Sequence, residues 1–248
     1  MINLHSHILP GIDDGPATLE ESLEIARLAA ADGVRLIAAT PHVRDDSPTD
    51  PSTMERLVAE LRAAIQHEGI PIELRPGGEI AIDWLERLSD HDLRRFGLGG
   101  SPRYLLVEFP YTGWPLSLHE WVFRLVAKEI TPIIAHPERN AEVQSDPEEL
   151  RPLVDAGALI QVTAAALDGR IGRASQAAGL ELIRRGLAHV LASDAHTAYI
   201  REAGLGAAVA VIGDEALAGW LTWDVPRAIV TDAPLPRRPR TRRRLFRR

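Results

Sequence analysis

Residues 2–7, Ile-Asn-Leu-His-Ser-His, hold the pattern that decides the fold of this chain, because a short apolar run ends directly in two histidines. Further apolar runs lead into His42, Glu108, His136 and Asp194. In a fold whose parallel strands alternate with helices, the carboxyl ends of the strands meet on one side, where catalytic side chains converge. The repetition therefore predicts one shared site built from strand ends.

Nine polar side chains form the candidate site. They are His5, His7, Asp14, His42, Glu79, Glu108, His136, Asp194 and His196. Taken singly, a histidine after an apolar run is more often a helix cap, a turn residue or a hydrogen-bonded core group than a ligand. Independent accidents, however, have no reason to fall at the same place in successive strand–helix units. We therefore interpret the set as a metal centre.

The composition of this set narrows the metal type. Imidazoles mixed with carboxylates, in a chain with no cysteine, suit manganese, zinc, iron or cobalt, and manganese is preferred for activity. Nine candidates exceed what one ion can use, so we expect about two or three ions sharing a bridging carboxylate, an arrangement typical of phosphoryl transfer. The absence of cysteine also excludes a cysteine nucleophile and a disulfide framework.

Strand and helix signals alternate along the chain. Seven strands are predicted, at 2–4, 34–39, 70–74, 104–109, 131–135, 159–162 and 188–192. Helices are predicted at 18–31, 50–69, 116–129, 147–156, 172–185, 201–212 and 214–221. Thr18 and Glu21 have the spacing of a capping box, and Gly77-Gly78 is expected to turn the backbone tightly beneath Glu79. The alternation predicts an α/β fold with a parallel sheet closed into a TIM-like barrel. The alternative is an open doubly wound sheet, but no glycine-rich nucleotide loop follows the first strand.

The charge of the chain is unevenly distributed. The net charge is -7, from 28 basic and 35 acidic residues, yet eight arginines lie within 237–248. The acidic body, residues 1–233, argues against a nucleic-acid partner. We expect residues 234–248, rich in arginine and proline, to form a disordered, solvated tail; the alternative is peripheral docking to an anionic membrane face or an acidic partner. No signal peptide and no apolar run of about 20 residues is found, so we expect a cytoplasmic protein without a membrane span.

Six motifs carry a resemblance to a known family. They are His5-Ser6-His7-Ile8-Leu9-Pro10-Gly11-Ile12-Asp13-Asp14-Gly15-Pro16, Thr40-Pro41-His42, Gly78-Glu79-Ile80, Glu108-Phe109, Ala135-His136-Pro137-Glu138-Arg139 and Ser193-Asp194-Ala195-His196. The set resembles the polymerase and histidinol phosphatase (PHP) superfamily. More narrowly, it resembles the bacterial protein-tyrosine phosphatases of capsule and exopolysaccharide synthesis, over residues 1 to about 230.

The resemblance implies a distorted (β/α)7 barrel with three metal sites. His5, His7, Glu79 and Asp194 are then the ligands of one ion, and Glu79 bridges to a second ion bound by Glu108 and His136. The third ion is held by Asp14, His42 and His196. Arg139 and Arg201 match arginines that relatives place around the phosphate. A guanidinium suits phosphate oxygens in any case, because its planar fork matches their geometry.

The implied function is that of a metal-dependent hydrolase, a protein-tyrosine phosphatase acting on a bacterial tyrosine kinase of capsule or exopolysaccharide synthesis. The implied mechanism is attack of a metal-bridging hydroxide on phosphorus, in line with the departing tyrosine oxygen. The main alternative is a small-molecule PHP phosphatase such as histidinol-phosphate phosphatase. A nuclease module is disfavoured by the acidic body, and a non-enzymatic regulator by the complete ligand set.

Overall fold

Two β-sheets carry the candidate site in the computed structural model, which describes residues 1–198 and 204–240. The strands are β1 Ile2–Ser6, β2 Leu36–Ala39, β3 His42–Arg44, β4 Ser47–Pro48, β5 Glu73–Arg75, β6 Glu79–Ala81, β7 Tyr104–Glu108, β8 Thr131–Ile134, β9 Leu159–Thr163 and β10 Val190–Ala192. The first sheet has the order β1-β2-β5 and the second β10-β9-β8-β7-β6-β3-β4. Within the described ranges, every strand pairing except β3–β4 is parallel. The predicted α/β class with parallel strands is confirmed.

Two of the seven predicted strands are each followed by a further short strand that was not predicted. The second predicted strand, 34–39, is found as β2, and after a break at Pro41, which lacks a backbone donor, the chain forms β3. The third, 70–74, is found later as β5, and after a second break the chain forms β6. The Glu79 backbone N–H donates to the Pro41 carbonyl at 3.0 Å, which places β6 beside β3. At each break the chain passes from the first sheet, which contains β2 and β5, to the second, which contains β3 and β6.

Gly77 and Gly78 are needed for close packing instead of a tight turn. Neither has a positive φ. A Cβ on Gly78 would lie 2.6 Å from Cδ1 of Phe96, which is fully buried. The expectation of a glycine turn beneath Glu79 is therefore wrong: Gly78 lets the Phe96 ring pack against the backbone before β6, and Gly77 lies close to the Ala39 carbonyl.

The end of β1 lies beside the end of β10, although the two strands belong to different sheets. The Asp194 backbone N–H donates to the His5 carbonyl at 2.9 Å, and the His7 N–H donates to the Ala195 carbonyl at 2.9 Å. A parallel bridge joins Ser6 to Ala195. These bonds bring the first and last candidate ligands of the chain together.

Helices surround the strands. The α-helices of the described residues are α1 Leu19–Ala31, α2 Pro51–His67, α3 Asp90–Arg95, α4 Leu118–Ala127, α5 Ala141–Ser145, α6 Arg151–Asp155, α7 Ala164–Leu167, α8 Arg173–Arg184, α9 Gly206–Ile212, α10 Glu215–Gly219 and α11 Val225–Val230. The predicted capping box is confirmed at α1, where Thr18 and Glu21 exchange both hydrogen bonds. The predicted helix over 147–156 is a 3-10 turn, Pro147–Leu150, followed by α6, and the one over 214–221 continues through the π-helix Trp220–Asp224 into α11. Helices α3, α5 and α7 were not predicted.

The segment 234–240 packs against the rest of the chain, contrary to the expectation of a disordered tail from residue 234. Trp220 Nε1 donates to the Pro236 carbonyl at 3.0 Å. The Arg238 guanidinium donates to the carbonyls of Ala188 at 2.9 Å and Ile183 at 2.7 Å, beside the start of β10. Buried carbonyls at the end of α8 thus gain donors from the tail. Residues 241–248 lie outside the described ranges. No helix among the described residues is long and apolar enough to cross a membrane.

Candidate metal centre

The nine predicted side chains converge on one site, near the carboxyl ends of β1, β7, β8 and β10 and at the first residues of β3 and β6. They form four overlapping groups whose ligand atoms lie within 4.8 Å of one another: His7, Asp14, His42 and His196; His5, Glu79 and His136; His5, His7 and Asp194; and His42, Glu79 and Glu108. Seven of the nine are buried; Asp14 is exposed and His196 half-buried. The structure therefore brings together residues that are up to 191 positions apart in the chain.

Glu79 lies at the centre of the cluster and is fully buried. Its Oε1 is 2.8 Å from His136 Nε2. Its Oε2 is 2.9 Å from His42 Nδ1 and 3.2 Å from His7 Nε2. Burial acts to raise the pKa of Glu79, but the imidazoles, led by His5, hold this pKa well below its usual range. Each oxygen of this ionised carboxylate faces a different set of histidines, which is the position of a bridging ligand.

The donor set fits a divalent cation. His42 Nδ1 and Glu79 Oε2 are buried atoms that make no hydrogen bond, although they are only 2.9 Å apart. A buried polar atom without a hydrogen bond costs free energy unless another partner satisfies it. A cation near both atoms would satisfy them at once, and imidazole nitrogen with carboxylate oxygen is the donor chemistry that zinc and manganese accept.

Two buried side chains orient His5 and His7, and sequence reasoning gave neither a role. His7 Nδ1 lies 2.7 Å from Asp13 Oδ2, and His5 Nδ1 lies 2.9 Å from Gln161 Oε1. Both contacts leave Nε2 of the histidine facing the cluster, as in the carboxylate–histidine pairs that support metal ligands. Burial opposes protonation of His7, yet hydrogen bonds that its ring donates to the carboxylates of Asp13, Asp194 and Glu79 raise its pKa well above the usual value. The available signal for Gln161 was a polar residue inside the apolar strand β9.

Asp14 and His196 close the exposed side of the cluster. His196 Nε2 is 3.1 Å from Asp14 Oδ1, and His42 Nε2 is 3.5 Å from the same oxygen. The hydrogen bond with His196 lowers the pKa of Asp14. The ring of His196 also stacks on that of His7, with centroids 3.9 Å apart. This group links the end of β10 with the segment after β1.

Glu108 is the least stabilised anion of the cluster. Burial, and then the negative charge of Glu79, raise its pKa to about 7. Its oxygens lie 3.7 Å from His42 Nδ1 and 3.8 Å from His136 Nε2. Two buried carboxylates beside each other repel unless positive charge lies between them. A cation shared with Glu79 would remove that cost, which again favours a metal at this position.

The backbone is strained at two of the ligand positions. His136 has φ 32° and Asp194 has φ 53°, both in the left-handed region that non-glycine residues rarely adopt. Each residue lies two positions after the end of its strand, His136 after β8 and Asp194 after β10. Such conformations persist only where surrounding contacts enforce them, and they concentrate at functional sites.

Arg139 reaches the cluster from the 3-10 turn Pro137–Arg139. Its NH1 donates to Asp194 Oδ2 at 3.1 Å, and its guanidinium lies 4.2 Å from the ring centroid of Tyr111. The carboxylate of Glu138 instead accepts from the Thr163 backbone N–H at 2.8 Å. Arg139 therefore points at the candidate site. The second predicted arginine, Arg201, lies outside the described residues.

Arg44 is another arginine at the site besides Arg139, and the sequence analysis did not single it out. Its guanidinium lies 3.6 Å from both Asp14 Oδ2 and Glu108 Oε2. It also lines a cleft of about 560 Å³ that begins at Glu108 and continues along residues 109–117. The site thus combines a buried cluster of ligands, arginines at its edge and an adjoining cleft.

Comparison with known proteins agrees with this site. A sequence profile of the CpsB/CapC family, described as capsular polysaccharide synthesis, matches residues 1–222. The chain belongs to this family, which confirms the resemblance drawn from the motifs.

Individual relatives and a solved structure with similar sequences are named tyrosine phosphatases. Tyrosine-protein phosphatase YwqE of Bacillus subtilis is 37% identical over 81% of this chain and 79% of its own length. Putative tyrosine-protein phosphatase CapC of Staphylococcus aureus is 34% identical over 79% of this chain and 77% of its own. A structure from work on YwqE of Bacillus subtilis and CpsB of Streptococcus pneumoniae, described there as metal-dependent tyrosine phosphatases, superposes with a TM-score of 0.87. It shares 33% identity over 98% of this chain and 100% of the other. The structure of the lactonase Lmo2620 of Listeria monocytogenes superposes with a TM-score of 0.50 over 94% of this chain and 92% of the other. At 16% sequence identity, this likeness shows the fold alone.

Proposed function

We propose that the protein is a metal-dependent protein-tyrosine phosphatase whose substrate is a bacterial tyrosine kinase of capsule or exopolysaccharide synthesis, acting in the cytoplasm. The observation that carries the proposal is the convergence of nine histidines and carboxylates around the buried Glu79. Membership of the CpsB/CapC family, with relatives named tyrosine-protein phosphatases, supports the substrate class.

The cluster is proposed to hold about two or three divalent ions, with manganese preferred for activity. His5, His7 and Asp194 would bind one ion together with Glu79, which bridges to a second held by Glu108 and His136. Asp14, His42 and His196 would bind the third. When bound, such ions supply an activated water and neutralise phosphoryl oxygens. Asp13 keeps His7 oriented for this task, and Gln161 does the same for His5.

Arg139 is proposed to bind the phosphoryl oxygens. Its guanidinium has one donor on Asp194 and remains 19% exposed. The planar fork matches two phosphate oxygens, and a fixed positive charge stabilises the charge that develops as the ester bond breaks. Arg201 is proposed to assist from the segment after His196. We also propose that the two sheets close into a distorted (β/α)7 barrel over residues 1–233, through the contacts between β1 and β10. Such closure would hold these groups in place.

Hydrolysis of matched substrates tests the proposal. The full-length protein, loaded with manganese, is assayed on a phosphotyrosine peptide, the same peptide with phosphoserine, and histidinol phosphate. We expect kcat/KM to be highest for the phosphotyrosine peptide and to collapse in Glu79→Gln. A preference for histidinol phosphate would replace the proposal with a small-molecule phosphatase. No hydrolysis of any phosphomonoester by the loaded protein would overturn it.

A further inference from the structure

We propose that the cleft beginning at Glu108 binds the aryl ring of the substrate and makes the site selective for aryl over alkyl phosphates. This inference rests on the proposed phosphatase function and assigns a substrate subsite to it. We call this region the aryl cleft and define it by Arg44, Ile82, Glu108, Phe109, Tyr111 and Trp114.

The aryl cleft is continuous with the metal centre. Glu108 belongs to a candidate ligand group and also lines the cleft. Arg44, whose guanidinium is 3.6 Å from Glu108, lies at the same edge. A phosphoryl group at the cluster can therefore extend its ester substituent directly into the cleft. The volume of about 560 Å³ falls in the range of small-molecule sites, roughly 300–1,000 Å³.

The walls of the aryl cleft suit a flat apolar ring. Phe109 and Trp114 meet edge to face, with centroids 5.8 Å apart. Tyr111 is 41% exposed. Its ring centroid lies 4.2 Å from the guanidinium of Arg139, and it meets the His136 ring edge to face, with centroids 5.8 Å apart. Aromatic side chains prefer such edge-to-face and offset contacts with a further ring. A phenyl group in the cleft would gain these contacts, whereas the short alkyl chain of phosphoserine would not reach them.

A second cleft beside the cluster is a poorer candidate. It lies next to His196 and has a volume of about 470 Å³, but Glu20, Glu21 and Glu24 line it. Three carboxylates beside a phosphate dianion would repel the substrate. The Glu108 side, with Arg44 at its edge and aromatic walls, is favoured by both charge and shape.

The test compares aryl and alkyl phosphates in metal-loaded, full-length protein. For wild type and Trp114→Ala, kcat/KM is measured with p-nitrophenyl phosphate and with phosphoserine. Dividing each variant value by the wild-type value removes the difference in leaving-group reactivity. We expect the aryl-to-alkyl ratio to fall roughly tenfold, mainly through KM, because one aromatic wall is lost. Trp114→Phe should restore most of the ratio.

Trp223→Ala is the matched control, because this tryptophan is 40% exposed and lies in Trp220–Asp224, outside the aryl cleft. The control should keep the wild-type ratio. Equal losses on both substrates in Trp114→Ala would show that Trp114 only supports the loop, and they would overturn the inference.

Binding to wild-type protein provides a readout that needs neither catalysis nor a folded variant. Calorimetry with phenylphosphonate and methylphosphonate, neither of which is hydrolysed, should give roughly tenfold tighter binding of the phenyl compound. Equal affinities would overturn the aryl cleft while leaving phosphatase activity intact. A preference for the phenyl compound in a protein that hydrolyses no phosphate would instead retain the subsite and reject the proposed function.

Discussion

Arg139 is the group whose removal separates phosphate binding from metal binding. Arg139→Ala removes one donor to Asp194, at 3.1 Å, and a cation over the Tyr111 ring, at 4.2 Å. Because one partly buried ion pair and one ring contact are lost, we expect a loss of folding free energy of about 1–2 kcal/mol. Loss of one preorganised charge-stabilising group lowers kcat by roughly a hundredfold or more, or about 3 kcal/mol of transition-state stabilisation. Activity should therefore fall far more than stability.

The assay is steady-state hydrolysis of p-nitrophenyl phosphate, with metal content and urea unfolding measured on the same preparations. Arg124→Ala is the matched control, because Arg124 also pairs with a carboxylate, Glu120, and lies 5.2 Å from an indole ring, that of Trp121, but on the outer helix α4. Arg139→Lys should recover only part of the activity, since an ammonium lacks the two-pronged geometry. Near-normal kcat/KM in Arg139→Ala would refute the phosphate assignment. Loss of metal in proportion to activity would show that Arg139 acts by holding Asp194.

Three further predictions concern the metal bridge, the pH dependence of stability and the tail. Glu79→Ala should reduce bound metal, measured by elemental analysis, by more than Asp14→Ala does, because a bridging carboxylate also offsets the repulsion between two cations. Wild-type metal stoichiometry in Glu79→Ala would reject the bridging role. Burial and then Arg238 lower the pKa of His189 to about 4, and the neutral ring accepts a backbone N–H. Since this pKa is depressed from about 6.5, His189 contributes stability above that pH, and about 3 kcal/mol is lost as the pH falls to 4. Urea unfolding should show a flatter decline in His189→Gln but not in the exposed His67→Gln, and parallel curves would contradict the assignment. Arg238→Ala should lower the urea midpoint because it removes one donor from each of two buried carbonyls, and equal midpoints would count against the packed segment. Deletion of 241–248 should leave turnover of a small aryl phosphate unchanged.

The candidate site was readable from the sequence because its signals are local. Each of His5, His136 and Asp194 lies within two residues of the end of an apolar run, and parallel strands bring such positions together. His42 was found for a partly wrong reason, since it begins β3 instead of following the end of a strand. The break at Pro41 depends on pairing with the distant strand β6, which no local pattern indicates.

The supporting residues were missed because their roles depend on contacts distant in sequence. Gln161 became recognisable only when β9 placed it against His5, 156 residues away. Tyr111 lies in a loop whose sequence shows no partner for its ring. The segment 234–240 has the composition of a solvated tail, but Trp220 and the carbonyls at the end of α8 supply buried partners for it. Composition predicts solvation only where the fold offers no such partner.

The dependence of hydrolysis on bound metal tests the central claim most directly. The purified full-length protein is analysed for divalent metals and assayed on a phosphotyrosine peptide before chelation, after exhaustive chelation and after addition of manganese, with metal loss verified at each step. The account predicts about two or three ions per chain, loss of hydrolysis with the metal and recovery with manganese. Full activity in protein shown to be free of metal would contradict it.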